Sequence, residues 1–166
     1  MSSDSEVLNI VFMGTPAFAV PALKALHDSR HAVQLVVTQP DRRSGRGRKH
    51  TPPPVKKAAL EMGYPVDQSA STRSDAFKGR LADAAPDLLV VVAFGQILKA
   101  DVLGTARLGA VNIHASLLPK YRGPAPIQRA VIDQALETGV TTMLLDEGMD
   151  TGDILMMRQT PIGPEE

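Results

Sequence analysis

The sequence predicts an α/β domain with a mostly parallel central sheet flanked by helices. Apolar runs of strand length alternate with segments of helical periodicity along the chain. The first apolar run, a helical segment and the second apolar run form a β-α-β unit, whose strands pair in parallel with a right-handed crossover. A chain of 166 residues is long enough for one such domain with a core and too short for two ordinary domains.

Short apolar runs bounded by turn residues predict six strands. The run at 87–93 is apolar almost throughout, which is typical of a strand buried on both faces at the centre of a sheet. The predicted strands cover residues 7–13, 31–38, 87–93, 108–114, 140–145 and 154–159.

The segments between these strands predict four helices and one long loop. Thr15 is a suitable N-cap for the first helix, and Pro16 suits its first position because an N–H would stay unpaired there. Residues 39–54 are basic, contain Gly45 and Gly47 and close on three prolines, so they predict a loop. The predicted helices cover residues 16–29, 55–62, 73–84 and 125–136.

The chain has no formal net charge, with 18 basic and 18 acidic residues, but its basic residues cluster in one segment. Residues 41–57 hold seven of them and a single acid, Asp41. Arginines interspersed with glycines suit contacts with a phosphate backbone, because these contacts need donors on an adaptable main chain. The segment has no aromatic residue for base stacking, and a solvated, flexible loop is the alternative interpretation. Its basic residues are Arg42, Arg43, Arg46, Arg48, Lys49, Lys56 and Lys57.

Several classes of protein are disfavoured by what the sequence lacks. It contains no cysteine, which argues against disulfides, thiolate zinc sites and cysteine catalysis and fits a reducing compartment. The first residues lack the basic start of a signal peptide and no apolar run reaches membrane length, so we expect a cytoplasmic protein. Residues 14–18 lack the G-x-G-x-x-G pattern and no P-loop pattern occurs, which disfavours nicotinamide, flavin and ATP cofactors.

The most informative motif lies at the end of the strand predicted at 108–114. Asn112 and His114 are two residues apart, so their side chains share one face of this strand. That face lies at the carboxyl end of the strand, where open α/β sheets hold their ligands. Asp150 follows later, in a loop between Gly148 and Gly152. An amide donor, an imidazole and a carboxylate together suit acyl-type transfer without a nucleophilic side chain.

Each of these residues also has a purely structural interpretation. A lone histidine at a strand end is often a hydrogen-bonded structural residue, and Asp150 is equally well explained by a solvated acidic turn. Asp146, Glu147 and Asp153 lie close by, and spacing alone does not decide which acid reaches His114. A metal site is disfavoured, because the other histidines show no ligand spacing with His114.

The same motif resembles the folate-dependent formyltransferases, and the similarity covers essentially the whole chain. The resemblance rests on Asn-Ile-His-Ala-Ser-Leu-Leu-Pro-Lys-Tyr-Arg-Gly at 112–123, Met-Asp-Thr-Gly-Asp at 149–153 and Val-Phe-Met-Gly-Thr-Pro-Ala-Phe-Ala at 11–19. It implies a Rossmann-like formyltransferase fold and transfer of a formyl group from 10-formyltetrahydrofolate to an amine, with no metal. Gln-Pro-Asp-Arg-Arg-Ser-Gly-Arg-Gly-Arg-Lys at 39–49 and Gly-Pro-Ala-Pro-Ile-Gln at 123–128 narrow it to members that formylate methionyl initiator tRNA for translation initiation.

The resemblance also implies roles for individual residues. The family's catalytic asparagine, histidine and aspartate match Asn112, His114 and Asp150, and this match alone favours Asp150 over the neighbouring acids. The turn at 116–119, whose Leu-Pro bond is cis in relatives, matches the tetrahydrofolate site, and residues 94–98 match the loop that lines the pterin pocket. The expected folate-binding residues are Phe94, Gly95, Gln96, Ile97, Leu98, Ser116, Leu117, Leu118 and Pro119. The expected contacts with the tRNA acceptor arm are Arg42, Arg43, Arg46, Arg48 and Lys49.

The resemblance sets expectations for the organisation of the protein as well. Members that act on tRNA continue through a last helix into a β-barrel domain, so we expect residues 1–166 to be a catalytic domain truncated at its C-terminal end. We also expect a monomer that does not bind membranes. The alternatives are a formyltransferase acting on another amine, such as a nucleotide-linked amino sugar or glycinamide ribonucleotide, and a non-catalytic fragment that binds folate or tRNA.

Overall fold

The computed structural model describes residues 6–44 and 49–164 of the chain. The chain forms two compact units, the first ending at Ala110 and the second starting at Val111. None of the helices in the described ranges has the length and apolar character needed to span a membrane.

The first unit is built on parallel strands. Its strands are β1 (Asn9–Gly14), β2 (Ala32–Val37), β3 (Arg42–Ser44), β4 (Lys49–Thr51), β5 (Val66–Asp67) and β6 (Leu88–Val92). Four of them pair in parallel in the order β5-β2-β1-β6, while β3 and β4 form a separate antiparallel hairpin. The prediction of an α/β fold with parallel strands flanked by helices is therefore confirmed.

Helices connect the parallel strands of this unit. They are a short 3-10 helix (Ala17–Ala19), α1 (Val20–His27), α2 (Pro54–Glu61), α3 (Asp75–Asp83) and α4 (Ala100–Leu103). The start of α3 is fixed by Ser74, whose hydroxyl accepts the N–H of Phe77 at 3.2 Å. The side chains of Phe77 and Leu81 on α3 are fully buried, as are those of Phe12 on β1 and Leu23 on α1. Removal of these apolar side chains from water is the main force that holds helices on a sheet.

The hydroxyl of Thr15 links the carboxyl ends of three parallel strands. It donates to the carbonyl oxygen of Phe94, just after β6, at 2.8 Å. It also accepts the N–H of Gln39, which follows β2, at 3.4 Å. The predicted N-cap role of Thr15 is wrong, because its hydroxyl is used for these contacts. The chain enters the 3-10 helix first, and neither that helix nor α1 has a side-chain cap.

The second unit is antiparallel. Its elements are β7 (Ala110–His114), α5 (Pro126–Ile132), β8 (Glu137–Leu144) and β9 (Ile154–Pro161). Strand β8 pairs antiparallel with both β7 and β9. Along β8 the residues Gly139, Thr141 and Met143 are buried in alternation, whereas every residue of β9 is exposed. A Cβ atom placed on Gly139 would overlap the carbonyl oxygen of Arg158 and would lie 2.5 Å from Leu117 Cδ2.

Several predicted boundaries differ from the structure. The basic segment predicted as a loop contains the paired strands β3 and β4. Their pairing satisfies backbone N–H and C=O groups. These strands have no apolar pattern, so the sequence does not reveal them. The helix predicted at 125–136 ends at Ile132, and β8 begins at Glu137 and not at Val140. The short elements β5 and α4 were not predicted.

We predict that Gly14→Ala destabilises the chain by about 1–3 kcal/mol, because the added methyl group overpacks the end of β1. A Cβ atom there would lie 2.9 Å from Ala19 Cβ, 2.9 Å from Phe12 Cε1 and 3.0 Å from the carbonyl oxygen of Val92. Gly79→Ala is the matched control, since a Cβ atom at this helical position meets nothing within 4 Å. Urea unfolding of both variants measures the effect, and equal stabilities of the two would contradict the prediction.

Candidate active site

Strand β7 and the loop after β8 bring His114 and Asp150 together. The Nδ1 atom of His114 lies 3.6 Å from Oδ2 of Asp150. Both side chains are largely shielded, with exposed fractions of 8% for His114 and 13% for Asp150. An electrostatic interaction that is shielded from water is stronger than one on the surface. The predicted proximity of this acid to the histidine is therefore present in the structure.

Both ring nitrogens of His114 face oxygen atoms. While Nδ1 faces the carboxylate of Asp150, Nε2 lies 2.9 Å from the carbonyl oxygen of Tyr121, to which it donates. A neutral imidazole carries one N–H, whereas the imidazolium cation carries two. Only the cation can therefore direct an N–H toward each of these two acceptors.

The carboxylate of Asp150 also fixes the loop that follows β7. Its Oδ2 atom accepts the N–H of Gly123 at 2.8 Å. Asp150 itself adopts a left-handed backbone conformation with a φ of 53°, which is uncommon for residues other than glycine. The surrounding turn therefore has to hold Asp150 in this conformation.

The neighbouring acids have other positions. The carboxylate of Asp146 accepts the N–H of Gly148 at 2.9 Å and the hydroxyl of Thr151 at 2.8 Å, and so closes the turn around Asp150. Glu147 and Asp153 are exposed. The sequence spacing did not decide which acid lies next to His114. In the structure Asp150 lies next to the imidazole, and Asp146 supports the turn.

Asn112 is half-buried on β7, two residues before His114, so both side chains lie on the same face of the strand. The register places Asn112 opposite Met143 and His114 opposite Thr141 on β8. This arrangement agrees with the predicted common face for the amide and the imidazole.

The turn at 116–119 is held from inside the second unit. The hydroxyl of Ser116 donates to the carbonyl oxygen of Lys120 at 2.6 Å, and the Leu118–Pro119 bond is cis, as the resemblance implied. Thr141 is fully buried; its hydroxyl donates to the carbonyl oxygen of Ser116 at 2.7 Å and accepts the N–H of Leu118 at 3.1 Å. Both backbone groups that flank Leu117 are thereby fixed.

The expected folate-binding residues of this turn differ in accessibility. Ser116 and Leu118 are buried, with exposed fractions of 0% and 5%, whereas Leu117 is half-buried and Pro119 is exposed. Apolar surface for a ligand is therefore offered by Leu117 and Pro119, while Ser116 and Leu118 shape the turn.

The segment 94–98 in the first unit is similarly divided. Phe94 and Leu98 are buried, while Gly95 and Ile97 are exposed. The side chain of Gln96 anchors the segment, since its Oε1 atom accepts the N–H of Thr72 at 3.0 Å. The contribution of this segment to a pterin pocket stays a prediction.

A cavity of about 370 Å³ lies within the first unit. Its floor contains residues that follow three parallel strands, namely Thr15, Gln39 and Phe94, and its wall includes Arg42 and Thr51 of the β3–β4 hairpin. We call it the proline cavity, because five prolines line it. These are Pro16, Pro40, Pro52, Pro53 and Pro54.

The basic hairpin is the candidate nucleic-acid interface. Arg42 is exposed at the start of β3, and Arg43 and Lys49 belong to the paired strands. The predicted contacts Arg46 and Arg48 lie outside the described residues.

The base of the hairpin is held by the carboxylate of Asp41. It accepts from Lys56 Nζ at 2.9 Å and from Gln68 Nε2 at 2.6 Å. The hydrogen bond from Gln68, together with the ion pair with Lys56, keeps the pKa of the Asp41 carboxyl below its ordinary value of 3.8. The anionic form of Asp41 is therefore the form that fixes the start of the hairpin.

Within residues 6–44 and 49–164, no group of three or more histidine, cysteine, aspartate or glutamate side chains is arranged to hold a metal ion.

A family model described as formyl transferase matches residues 8–166. The chain belongs to the formyl transferase family. It is 55% identical, over 97% of its length, to the methionyl-tRNA formyltransferase of Ectopseudomonas mendocina. It is 54% identical, over its full length, to the methionyl-tRNA formyltransferase of Desulfotalea psychrophila.

The chain spans about half the length of these curated relatives, 51% of each. Among solved structures it is similar to a glycinamide ribonucleotide transformylase from Symbiobacterium toebii. The TM-score is 0.75, with 99% of this chain and 78% of that chain covered. At 19% identity this similarity shows a common fold, and it confirms the expected Rossmann-like formyltransferase architecture.

Sequence reasoning missed three residues that organise the site. Gly123 supplies the N–H to Asp150, Tyr121 supplies the carbonyl group to His114, and Thr141 fixes the turn at 116–119. A glycine within a loop of special backbone was a usable signal for Gly123. The role of Thr141 has no local signal, because it depends on a partner 25 residues away in the chain.

We predict that Thr141→Val destabilises the chain by about 1–3 kcal/mol, because it leaves the buried N–H of Leu118 without a partner. Thr141→Ser keeps the hydroxyl and serves as the control, with a loss of less than about 1 kcal/mol for the missing methyl group. Urea unfolding measures both. Equal losses in the two variants would show that the methyl group, and not the hydroxyl, stabilises the turn.

We predict that Asp41 stabilises the fold above its ordinary pKa and that this contribution disappears as the pH falls through the lowered pKa of the folded state. Asp41→Asn should therefore flatten the acid limb of the stability curve measured by urea unfolding at a series of pH values. Asp28→Asn, which removes an exposed acid at the end of α1, is the control for loss of one surface charge. An unchanged acid limb in Asp41→Asn would be inconsistent with the proposed role of this carboxylate.

Proposed function

We propose that this chain is the catalytic part of a methionyl-tRNA formyltransferase, which transfers the formyl group of 10-formyltetrahydrofolate to the α-amine of methionyl initiator tRNA in the cytoplasm. The observation that carries the proposal is the identity of 52–55%, over 95–100% of the chain, to curated relatives of that name. Structures of transformylases acting on a small amine share the fold at much lower identity, such as 19%.

The side chains at the end of β7 fit this chemistry. The donor supplies an activated formyl carbon, and the acceptor amine is the nucleophile. Asn112 donates an N–H to the oxygen that becomes negative when the amine nitrogen bonds to the formyl carbon, a contribution typically of about 3 kcal/mol. In its imidazolium form, His114 adds positive charge beside the same oxygen.

Collapse of the tetrahedral intermediate breaks the bond between the formyl carbon and the folate nitrogen. A proton leaves the attacking amine and a proton reaches the departing folate nitrogen, so no proton is gained or lost overall. The imidazolium of His114 gives its proton to the departing folate nitrogen and regains one from the attacking amine. Asp150 keeps the imidazole oriented, since its carboxylate lies 3.6 Å from the ring nitrogen Nδ1.

The turn at 116–119 and the segment 94–98 are proposed to bind the folate donor. The accessible apolar surfaces of Leu117 and Pro119 fit a flat heterocycle, and the buried hydroxyls of Ser116 and Thr141 keep the turn rigid. A rigid turn lowers the entropy that is lost when a ligand binds.

The β3–β4 hairpin is proposed to bind the tRNA acceptor arm through Arg42, Arg43, Arg46, Arg48 and Lys49. Cationic side chains on an antiparallel hairpin provide sequence-independent contacts with phosphates. The ion pair between Asp41 and Lys56 anchors the residue that precedes β3. The hairpin is the feature that favours a polyanionic acceptor over a small amine.

The choice of acceptor tests this function. Formyl transfer from 10-formyltetrahydrofolate is measured, at high protein concentration, to methionyl initiator tRNA, to glycinamide ribonucleotide and to a nucleotide-linked amino sugar. We expect transfer to the charged tRNA alone. Transfer to a small amine in preference to the tRNA would replace the proposal with the corresponding small-molecule enzyme, and binding of folate without any transfer would leave a non-catalytic fragment.

In the same assay, we predict that His114→Ala abolishes transfer while the affinity for the folate donor changes by no more than a few-fold, because the imidazole acts on the reacting atoms. His27→Ala is the matched control, since His27 is an exposed histidine that contacts only Tyr64 among the described hydrogen-bond and ring partners. Undiminished turnover of His114→Ala would refute the assigned role.

A further inference from the structure

Met149 is an exposed methionine that comes directly before Asp150 in the chain. Its exposed fraction is 60%, whereas that of the Asp150 side chain is 13%. A Cβ atom placed on Gly123 would lie 3.2 Å from the Sδ atom of Met149, so the sulfur atom lies against this glycine. The loop after β8 therefore contacts Gly123 through two consecutive residues, because the carboxylate of Asp150 accepts the N–H of the same glycine.

The contact between Gly123 and Asp150 bears directly on the imidazole. The Gly123 N–H donates to Oδ2 of Asp150 at 2.8 Å, and this oxygen atom lies 3.6 Å from Nδ1 of His114. Gly123 and Asp150 both have left-handed backbone conformations, with φ values of 85° and 53°. For a residue other than glycine this conformation is uncommon and has to be held by its surroundings. A change at the sulfur of Met149 thus acts on the group that orients His114.

The chemistry that a methionine sulfur offers at such a position is oxidation to the sulfoxide. Hydrogen peroxide transfers one oxygen atom to Sδ, so that the O–O bond breaks, an S–O bond forms and water leaves. The sulfur atom gives up two electrons and the peroxide takes up two. The product is polar and chiral, and methionine sulfoxide reductases return it to the thioether.

Exposure separates the methionines of the chain, and position separates the exposed ones. Met13 and Met143 are fully buried, whereas Met149 and Met156 have exposed fractions of 60% and 68%. Met156 lies on β9, where it is opposite Thr142 of β8. Both exposed sulfur atoms are accessible to a peroxide, but Met149 is the one next to Asp150 in the chain and against Gly123 in space.

An oxygen atom on the sulfur of Met149 conflicts with the present arrangement. The sulfur lies against Gly123, so the added oxygen takes up space beside this glycine or forces the side chain away from it. The sulfoxide oxygen is also an acceptor, which competes with Oδ2 of Asp150 for the Gly123 N–H. In either case the hydrogen bond that holds the carboxylate near His114 is weakened.

We propose that Met149 is a redox-sensitive modification site, at which oxidation by a hydroperoxide displaces Asp150 from His114 and lowers formyl transfer until the sulfoxide is reduced. The effect on transfer rests on the proposed function, whereas the displacement of Asp150 does not. The modification makes formyl transfer dependent on the level of peroxide.

The first test measures oxidation and transfer on the same sample. The chain is treated with hydrogen peroxide, the peroxide is removed, and mass spectrometry of peptides gives the oxidised fraction of each methionine. We expect kcat for methionyl initiator tRNA to fall about tenfold or more as Met149 is oxidised, because small displacements of orienting groups are costly, and to recover with methionine sulfoxide reductase. Full oxidation of Met149 with unchanged kcat, or oxidation of Met156 while Met149 stays reduced, would overturn the proposal.

The second test compares two substitutions that each remove one exposed sulfur atom. Met149→Leu keeps an apolar side chain beside Gly123, and Met156→Leu is the matched control on β9. Each variant is compared with its own untreated sample. We expect peroxide to leave the kcat of Met149→Leu unchanged and to lower that of Met156→Leu as much as in the wild type. Equal losses in the two variants would place the inactivation elsewhere and overturn the proposal.

The third test follows the site without formyl transfer. In NMR spectra of the isotope-labelled chain, we expect oxidation to shift the amide signal of Gly123 and the imidazole signals of His114. The same treatment should leave these signals unmoved in Met149→Leu. The amide of Gly79, on helix α3 of the first unit, is the internal reference. Unmoved signals of Gly123 and His114 after full oxidation of Met149 would contradict the proposed displacement.

The two proposals fail in different ways. If methionyl tRNA is not formylated but oxidation of Met149 moves the signals of Gly123 and His114, the proposed function is wrong and the redox-sensitive site remains. If the tRNA is formylated and oxidation of Met149 changes neither kcat nor these signals, only the present inference is wrong.

Discussion

The carboxylate of Asp150 joins three segments that are distant in sequence. One oxygen atom, Oδ2, accepts the N–H of Gly123 at 2.8 Å and lies 3.6 Å from Nδ1 of His114 at the end of β7. The loop after β7 and the loop after β8 are thereby held against the same imidazole. Because Asp150 is in a left-handed conformation, its position depends in turn on the Asp146 turn that surrounds it.

In both units a threonine side chain fixes the backbone of a loop that carries candidate functional residues. In each unit a threonine hydroxyl group, half-buried in Thr15 and fully buried in Thr141, fixes backbone groups next to a strand end. Thr15 does so for three parallel strands in the first unit, and Thr141 does so for the turn at 116–119 in the second. A hydroxyl group that both donates and accepts a hydrogen bond allows little movement, so the loops that carry the candidate functional residues are positioned by the sheets.

Part of this arrangement was predictable from sequence, because it depends on local patterns. Apolar runs identified the parallel strands, and the two-residue period of a strand placed Asn112 and His114 on one face. The pairing of β3 with β4 was not predictable, since these charged strands carry no apolar alternation. Strand β5 consists of two residues, too few for any periodicity.

The features that local patterns do not predict depend on contacts between residues far apart in the chain. Four acids between 146 and 153 are similar in sequence, and only the fold separates Asp150 at the imidazole from Asp146 in the turn. Thr15 has the residue type and position of an N-cap, yet its hydroxyl contacts residues 24 and 79 positions away. The roles of the folate and tRNA contacts remain predictions, because they concern ligands and not the packing of the chain.

Gly139 limits how this protein can vary in evolution. Its missing side chain leaves room for both Leu117 and the backbone of Arg158, so no other residue fits unless the turn and β9 move together. A substitution there would need compensating changes in two segments that are far apart in the chain. The side chains of β9 are exposed, whereas its backbone is tied to one position of β8.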